Sequence, residues 1–364
     1  MKSKVALLSL FFFMILSQSI VGGEKCQVLY PIFLDVGNNK IRAGYINCEG
    51  KVIVEPRFES ASDFSDPQGG VGIVFGEQKL IGYKEDGHGI FERDTGIVDI
   101  TGKIILLPNT VILSEFSEGL ALANIGKRWV YINKSGKEII SIPESIDIDS
   151  EAPIVFGFSN GVAVIKTKNG ICLVSKDGKV DCRDFSSIEN IEDLTSPIKD
   201  VREVRVEEGY TLIDKKGQYL IPPQKNSINE YGGSFIAETD NGKWLYLDDK
   251  GRKFLEVQYD YAGPFSQDLA AIKIKDKWGY MNKKGNTVIP VNFEDASNFD
   301  EGELAYVKLN GKYGFISRKG KFIIPPVFDY INKPFNCGLA YVQKGNLAGY
   351  INKKGEWVWQ RPIA

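Results

Sequence analysis

Apolar and polar residues alternate along most of this chain in short runs, each closed by a polar turn that ends in glycine. Runs such as "LALANI" (Leu120–Ile125), "LAAIKI" (Leu269–Ile274) and "LAYVKL" (Leu304–Leu309) are followed by "RWVYIN", "KWGYMN" and "KYGFIS". Period-two alternation over a handful of residues is the pattern of a half-buried strand, because successive strand side chains point to opposite faces. The pattern therefore predicts many short strands joined by tight turns, an all-β chain.

The turns are in register. Nine glycines, Gly50, Gly102, Gly136, Gly178, Gly217, Gly251, Gly285, Gly320 and Gly355, are separated by 52, 34, 42, 39, 34, 34, 35 and 35 residues. Three positions before each stands a short side-chain oxygen: Asn47, Asp99, Asn133, Ser175, Asp214, Asp248, Asn282, Ser317 and Asn352. Such an oxygen accepts the backbone N–H two residues on, and glycine then takes positive φ at low cost. Both belong to a hairpin whose type I turn ends in a glycine bulge.

Five positions before the glycine come Tyr45, Ile97, Tyr131, Leu173, Leu212, Tyr246, Tyr280, Phe315 and Tyr350. Seven before it come Ala43, Thr95, Trp129, Ile171, Tyr210, Trp244, Trp278, Tyr313 and Ala348. These two positions share a strand face. Between them, five units place glycine (Gly44, Gly96, Gly279, Gly314, Gly349), so the other face should be closely approached by a neighbour.

After the turn a second apolar run ends in proline, as in "KVIVEP", "NTVIP" and "KFIIPP". Proline cannot donate to a ladder, so this run should end there or lie at a sheet edge. A phenylalanine with polar turn residues follows ("DFSD", "EFSEG", "PFSQD", "NFDEG"), then a third strand. The consensus "LAxVKxxGKWGYINKKGxxVIPPxFDxAxxFSEG" resembles the WG-repeat family, also called KWG repeats, of bacterial exported and surface proteins. The strict "KWG" stands at Lys277–Trp278–Gly279, and "KYG" at Lys312–Gly314. The resemblance is close in units from Asp276 and Gly311 and weak between Lys168 and Glu207. It implies a β-repeat scaffold with a binding role, and carries no active site to this chain.

A unit of three short strands is too small to bury both faces, so units must stack and share a core. The fold class expected is an all-β tandem array of about eight to nine small three-stranded antiparallel units. An open, superhelical, solenoid-like array is favoured, because the two ends share no obvious incomplete unit. A closed propeller-like ring is the alternative. Residues 24–207 form the less regular part of the repeat domain and 208–364 the regular part.

The N-terminal segment departs from this pattern. Lys2 and Lys4 precede a run from Val5 to Leu16 that is apolar except for Ser9, and Ser17, Gln18, Ser19 and then Gly22 and Gly23 follow. That order reads as a secretory signal peptide over 1–23, too short to span a bilayer comfortably. An exported, periplasmic, cell-surface or secreted chain is expected. The formal net charge of −2 offers no basic excess for nucleic acid.

Export permits disulfides. Cys172 and Cys182 flank the turn "SKDGK", and Cys26 and Cys48 flank a hairpin near Gly37. Two local bridges would leave Cys337 unpaired; five buried thiols are the other reading.

Candidate sites are few. Trp129, Trp244, Trp278 and Tyr280 could line an aromatic strip for glycan rings, but their periodicity fits inter-unit core packing better. Together with Gly285, Gly320 and Gly355 they are taken as structural repeat residues. The turn lysines Lys134, Lys216, Lys284, Lys319 and Lys354 would line one edge and are the candidate ligand-binding set for anionic polymers; solvated turn residues are the plainer reading. Asp147, Asp149 and Glu151 could present oxygens to Ca²⁺ but lack calcium-loop spacing. His88 is the single histidine, so it cannot build a multi-histidine metal site. The "NKS" at Asn133–Ser135 is a glycosylation sequon in a tight turn.

No nucleophile elbow, phosphate loop, HExxH or paired CxxC appears. No catalytic residue, metal or cofactor is therefore expected. The expected function is a noncatalytic exported scaffold that presents a surface to an envelope protein or glycan. The alternative is an envelope hydrolase or carbohydrate-targeting module with its site in the insertions at 76–95 and 183–206.

Overall fold

A computed structural model describes residues 28–37, 40–64, 70–83, 89–126, 128–146, 148, 155–159, 161–167, 170–183, 201–214, 218–231, 234–266, 268–299 and 304–363. Every element among them is a strand, and the strands form nine antiparallel sheets in chain order. The seventh sheet shows the plan. Tyr261–Ser266, Leu269–Ile274, Lys277–Asn282 and Thr287–Phe293 pair as consecutive neighbours. The eighth (Asp295–Phe328) and ninth (Tyr330–Pro362) repeat it.

Most sheets thus hold four strands, not the three expected. The segment carrying the repeated phenylalanine, read as a turn, pairs as a first strand with an irregularity between Ala262 and Phe265. The first sheet lacks this strand among the described residues and has three: Tyr30–Asp35, Ile41–Ile46 and Val52–Phe58.

The turn chemistry is as expected. Gly285 donates to the Asn282 carbonyl at 2.9 Å, and the Asn282 Oδ1 accepts the N–H groups of Lys284 and Asn286 at 3.0 and 3.1 Å. Gly285 has φ +78°, and its described counterparts are all left-handed. Pro290 and Pro325 lie on fourth strands, which are sheet edges, so their missing N–H breaks no ladder. The register slips opposite these edges, between Trp278 and Tyr280 and between Tyr313 and Phe315. That slip explains the central glycine of the motif. A Cβ on Gly279 would meet the Ile289 carbonyl oxygen at 2.7 Å, and one on Gly314 the Ile324 oxygen at 2.6 Å. Gly44 and Gly349 face the same contact.

The core lies between sheets. Tyr280 is fully buried, stacks on Phe299 of the next sheet with ring centroids 4.8 Å apart, and donates its hydroxyl to the Ser297 carbonyl at 2.7 Å. Tyr45 does the same with Phe64 and Ser62, and Tyr246 with Phe265 and Gly263. At the other face, turn glycines of the regular units rest on the fourth strand of the preceding sheet: Gly285 on Leu255 and Val257, Gly320 on Ile289, Gly355 on Ile324.

Both contacts recur between the last sheet and the first. Tyr350 stacks on Tyr30 at 5.3 Å and donates to the Pro31 carbonyl at 3.0 Å, and Gly50 rests on Val358. Tyr30, Ile32, Ile46, Leu339 and Tyr350 form one buried cluster. The first and last sheets therefore touch, although among the described residues no sheet contains strands from both ends. The open arrangement is expected because the termini share no strand, and this contact is an inter-sheet one of the kind seen at Tyr45, Tyr246 and Tyr280.

Candidate functional site

An antiparallel meander sends its turns alternately to two rims. The rim carrying the Asn–Gly turns presents the predicted lysines. Lys284, Lys319 and Lys354 are exposed there, while Lys134 is half-buried and Lys216 lies outside the described residues. This rim is not a bare cationic edge. Asp268, in the turn between the first two strands of the seventh sheet, pairs with Lys283 at 2.7 Å and reaches Arg318 of the next sheet at 3.6 Å. The hydrogen bond from Lys283 holds the Asp268 carboxyl below its ordinary range. Glu118 and Lys176 make a similar pair between the third and fourth sheets at 2.9 Å. A shallow cavity of about 650 Å³ opens at Arg318, with Leu269, Leu304 and Ile323 among its lining and Lys319 and Lys353 around it.

The opposite rim carries the aromatic residues, and the structure separates Trp278 from Tyr280. Tyr280 is core, whereas Trp129, Trp244 and Trp278 are half-buried, each packed on the margin of a core cluster. Trp244 and Trp278 come from adjacent sheets, and Tyr261, at the start of the seventh sheet, sits between them. Its ring lies 5.4 Å from Trp244 and 5.3 Å from Trp278, edge to face with both. In the next sheet Asp295 takes the place of Tyr261 and accepts the Tyr313 hydroxyl at 3.0 Å. Burial, and then this bond, push Tyr313 up to about 12. Tyr330 begins the ninth sheet near Tyr313. The Lys273 ammonium lies 5.7 Å from the Trp278 ring centroid, and that of Lys308 lies 5.2 Å from Tyr313. Trp244, Tyr261, Trp278, Asp295, Tyr313 and Tyr330 thus form a row along four consecutive sheets, the sixth to the ninth.

An acid just before each first-strand residue fixes this row. Asp260 accepts the Lys275 N–H, Glu294 the Gly311 N–H at 3.0 Å, and Asp329 the Gly345 N–H at 2.7 Å. Each carboxylate thereby ties the entry of its sheet to that sheet's own hairpin turn. Sequence reasoning passed over these acids and the tyrosines beside them. Their signal was present as the recurrent pairs Asp260–Tyr261, Glu294–Asp295 and Asp329–Tyr330.

A third feature was not legible in sequence. Where the ends meet, a cavity of about 270 Å³ is lined by Leu29, Tyr30, Phe64, Pro334, Leu339 and Tyr350 among others, with Asp63 and Lys333 paired at 2.6 Å beside it.

Cys172 and Cys182 face each other across the hairpin and are joined by a disulfide. Cys337 is also disulfide-bonded, which corrects the expectation that it would be the unpaired cysteine. Cys26, the partner proposed for Cys48, lies outside the described residues. Cys48 and Cys337 both flank the cluster joining the first and last sheets. His88, Asp147, Asp149 and Glu151 also lie outside the described residues. Among the described residues, no three His, Cys, Asp or Glu side chains converge as a metal site, and no helix is long and apolar enough to cross a membrane. The insertion at 76–95 extends a hairpin, Gly72–Tyr83 with Gly89–Val98.

Comparison with known families decides what the repeat is. The WG containing repeat is matched at residues 44–71, 246–278, 278–313 and 313–347. The chain contains WG repeats. The matched segments include the half-buried Trp278, the buried Tyr280 and the bulge-accommodating Gly279 of the unit described above. No curated protein matches this chain. Among solved structures, one titled as a crystal structure of the eukaryotic initiation factor is similar over 93% of this chain and 96% of that one, at 11% identity and a TM-score of 0.51. The similarity concerns the fold alone. BamB from Moraxella catarrhalis (12% identity, 80% of this chain and 95% of that one) and KlHsv2 with a replaced loop (11%, 82% and 95%) both match at a TM-score of 0.30.

Proposed function

We propose that this chain is an exported, noncatalytic scaffold whose rims present a binding surface to an envelope protein or glycan. The observation that carries this reading is how the repeated residues are used. The motif tyrosines, phenylalanines and glycines join sheet to sheet, so the repeat itself supplies rigidity, while the side chains at the rims differ from unit to unit. Binding residues on such scaffolds stand on the loops and strand ends that a stiff frame positions. The Cys172–Cys182 disulfide fits an oxidising compartment and supports export. The test is incubation of the purified mature chain with isolated envelope proteins and with purified envelope glycans. Saturable binding that leaves the partner chemically unchanged supports the proposal. Turnover of a bound glycan would overturn the noncatalytic part, and recovery of the chain in the cytosol with residues 1–23 intact would overturn export.

A further inference from the structure

We propose that the row Trp244, Tyr261, Trp278, Asp295, Tyr313 and Tyr330 is a binding track for an extended, uncharged glycan. This inference rests on the scaffold reading above and names the partner class of one rim.

Four observations carry it. Aromatic side chains at the row are offered to solvent while their repeat-mates are buried: Tyr261 is 38% exposed and Tyr330 54%, against 0% for Tyr280. Large apolar rings left at a surface in a row call for a partner more than scattered ones do. The rings are also fixed. Edge-to-face contacts hold Tyr261 between two tryptophans, Trp244 Nε1 donates to the Tyr259 carbonyl at 3.1 Å, and the acids before Tyr261 and Tyr330 clamp the adjacent turns. A pre-ordered ring loses little entropy when a ligand lands on it.

Polar groups interrupt the rings. Lys273 lies opposite Tyr261 and Trp278 in the ladder, and Lys308 opposite Asp295 and Tyr313. A flat protein interface wants a continuous apolar centre with polar groups at its rim. This row has the opposite order, ring then charge then ring. A pyranose chain matches that order, with apolar C–H faces for the rings and hydroxyl edges for ammonium and carboxylate groups, which donate and accept respectively. Finally, charge sets the class. Lys308 is offset by its cross-strand neighbour Asp295, and the carboxylates of Asp260, Glu294 and Asp329 stand along the same row as Lys273. A polyanion would find little to hold it here, unlike at the lysine-bearing rim.

The experiment uses the whole mature chain in affinity electrophoresis and titration calorimetry. The probes are three soluble β-1,4-linked hexasaccharides: glucose, N-acetylglucosamine, and a uronic-acid oligomer as the anionic comparison. Binding of one or both uncharged oligomers is expected, changing less than twofold between low and high salt, with the anionic one bound at least tenfold more weakly. Tyr261→Ala and Tyr330→Ala should each weaken binding about tenfold, whereas Tyr261→Phe should stay within twofold. Both tyrosines are exposed, so thermal unfolding of the variants should stay close to the parent and exclude misfolding as the cause. Failure of all three oligomers to bind, or binding unaltered by both alanine variants, overturns the track. Saturable capture of an envelope protein in that case leaves the scaffold reading standing while the glycan track falls. Binding of only the uronic-acid oligomer, with steep salt dependence, also overturns it and assigns ligand binding to the lysines.

Discussion

Three tyrosine hydroxyls at equivalent places in the repeat should respond differently to the same deletion. Tyr280→Phe keeps the stacking on Phe299 and removes one donor, which leaves the Ser297 carbonyl without the 2.7 Å bond it receives at a buried interface. Losing a partner in such a place costs about 1–3 kcal/mol. Tyr131 is also fully buried and stacks on Phe158 at 4.9 Å, but its hydroxyl has no partner among the described residues. Its burial alone pushes the phenol upward, with no hydrogen bond among the causes. Tyr131→Phe removes an unmet polar group and should be neutral, or stabilising by up to about 1 kcal/mol. Tyr350→Phe tests the seam: if the last sheet packs on the first, losing the 3.0 Å bond to Pro31 should cost the same as Tyr280→Phe. Urea unfolding followed by tryptophan fluorescence measures all three, with an unchanged denaturant slope as the sign that only stability has moved. The reasoning fails if Tyr131→Phe is as damaging as Tyr280→Phe. A silent Tyr350→Phe beside a damaging Tyr280→Phe would refute the packing of the last sheet on the first.

Other consequences are open to test. Gly279→Ala places a Cβ 2.7 Å from the Ile289 carbonyl and should destabilise by about 1–3 kcal/mol; Gly311→Ala, left-handed but with open space around it, should lose about 1–2 kcal/mol through backbone conformation alone. Circular dichroism melts would separate the two from the parent. Hydrogen bonds from Lys243 and Lys253 lower the Glu256 carboxyl from its ordinary 4.5 to about 2. A depressed carboxylate contributes stability that is present above the unfolded value and lost as pH falls through the folded one, so its share should fade between pH 4.5 and 2. NMR titration of Glu256 should show the low midpoint, and Lys243→Ala should raise it. Reducing the Cys172–Cys182 bridge, which joins residues 10 apart, should cost about 2–3 kcal/mol by loop entropy, read from urea unfolding of the Cys172→Ser/Cys182→Ser variant. Equal stability with and without the bridge would show that the hairpin is already ordered in the unfolded chain.

What the sequence by itself determined is local. Asn282 and Gly285 specify their turn because a side-chain oxygen and a residue free to take positive φ are sufficient to build it, wherever the hairpin is placed. Period-two alternation fixed the strands, and the glycine of each Trp–Gly or Tyr–Gly pair announced a close neighbour. The tertiary structure decided what sequence patterns cannot rank. Trp278 and Tyr280 share a strand face two residues apart, yet one lies at a rim and the other in the core. The difference arises because Tyr280 meets Phe299 of the next sheet, whereas Trp278 stands at the strand's end beside Tyr261. The same holds for the contact between the two ends. Nothing in "LYPIFLDV" or "GYINKKGEWVWQ" marks them as partners, since their contact is an ordinary inter-sheet one between Tyr350 and Tyr30. It depends on the rotation accumulated over all the sheets between them, a sum of small twists that no single repeat encodes.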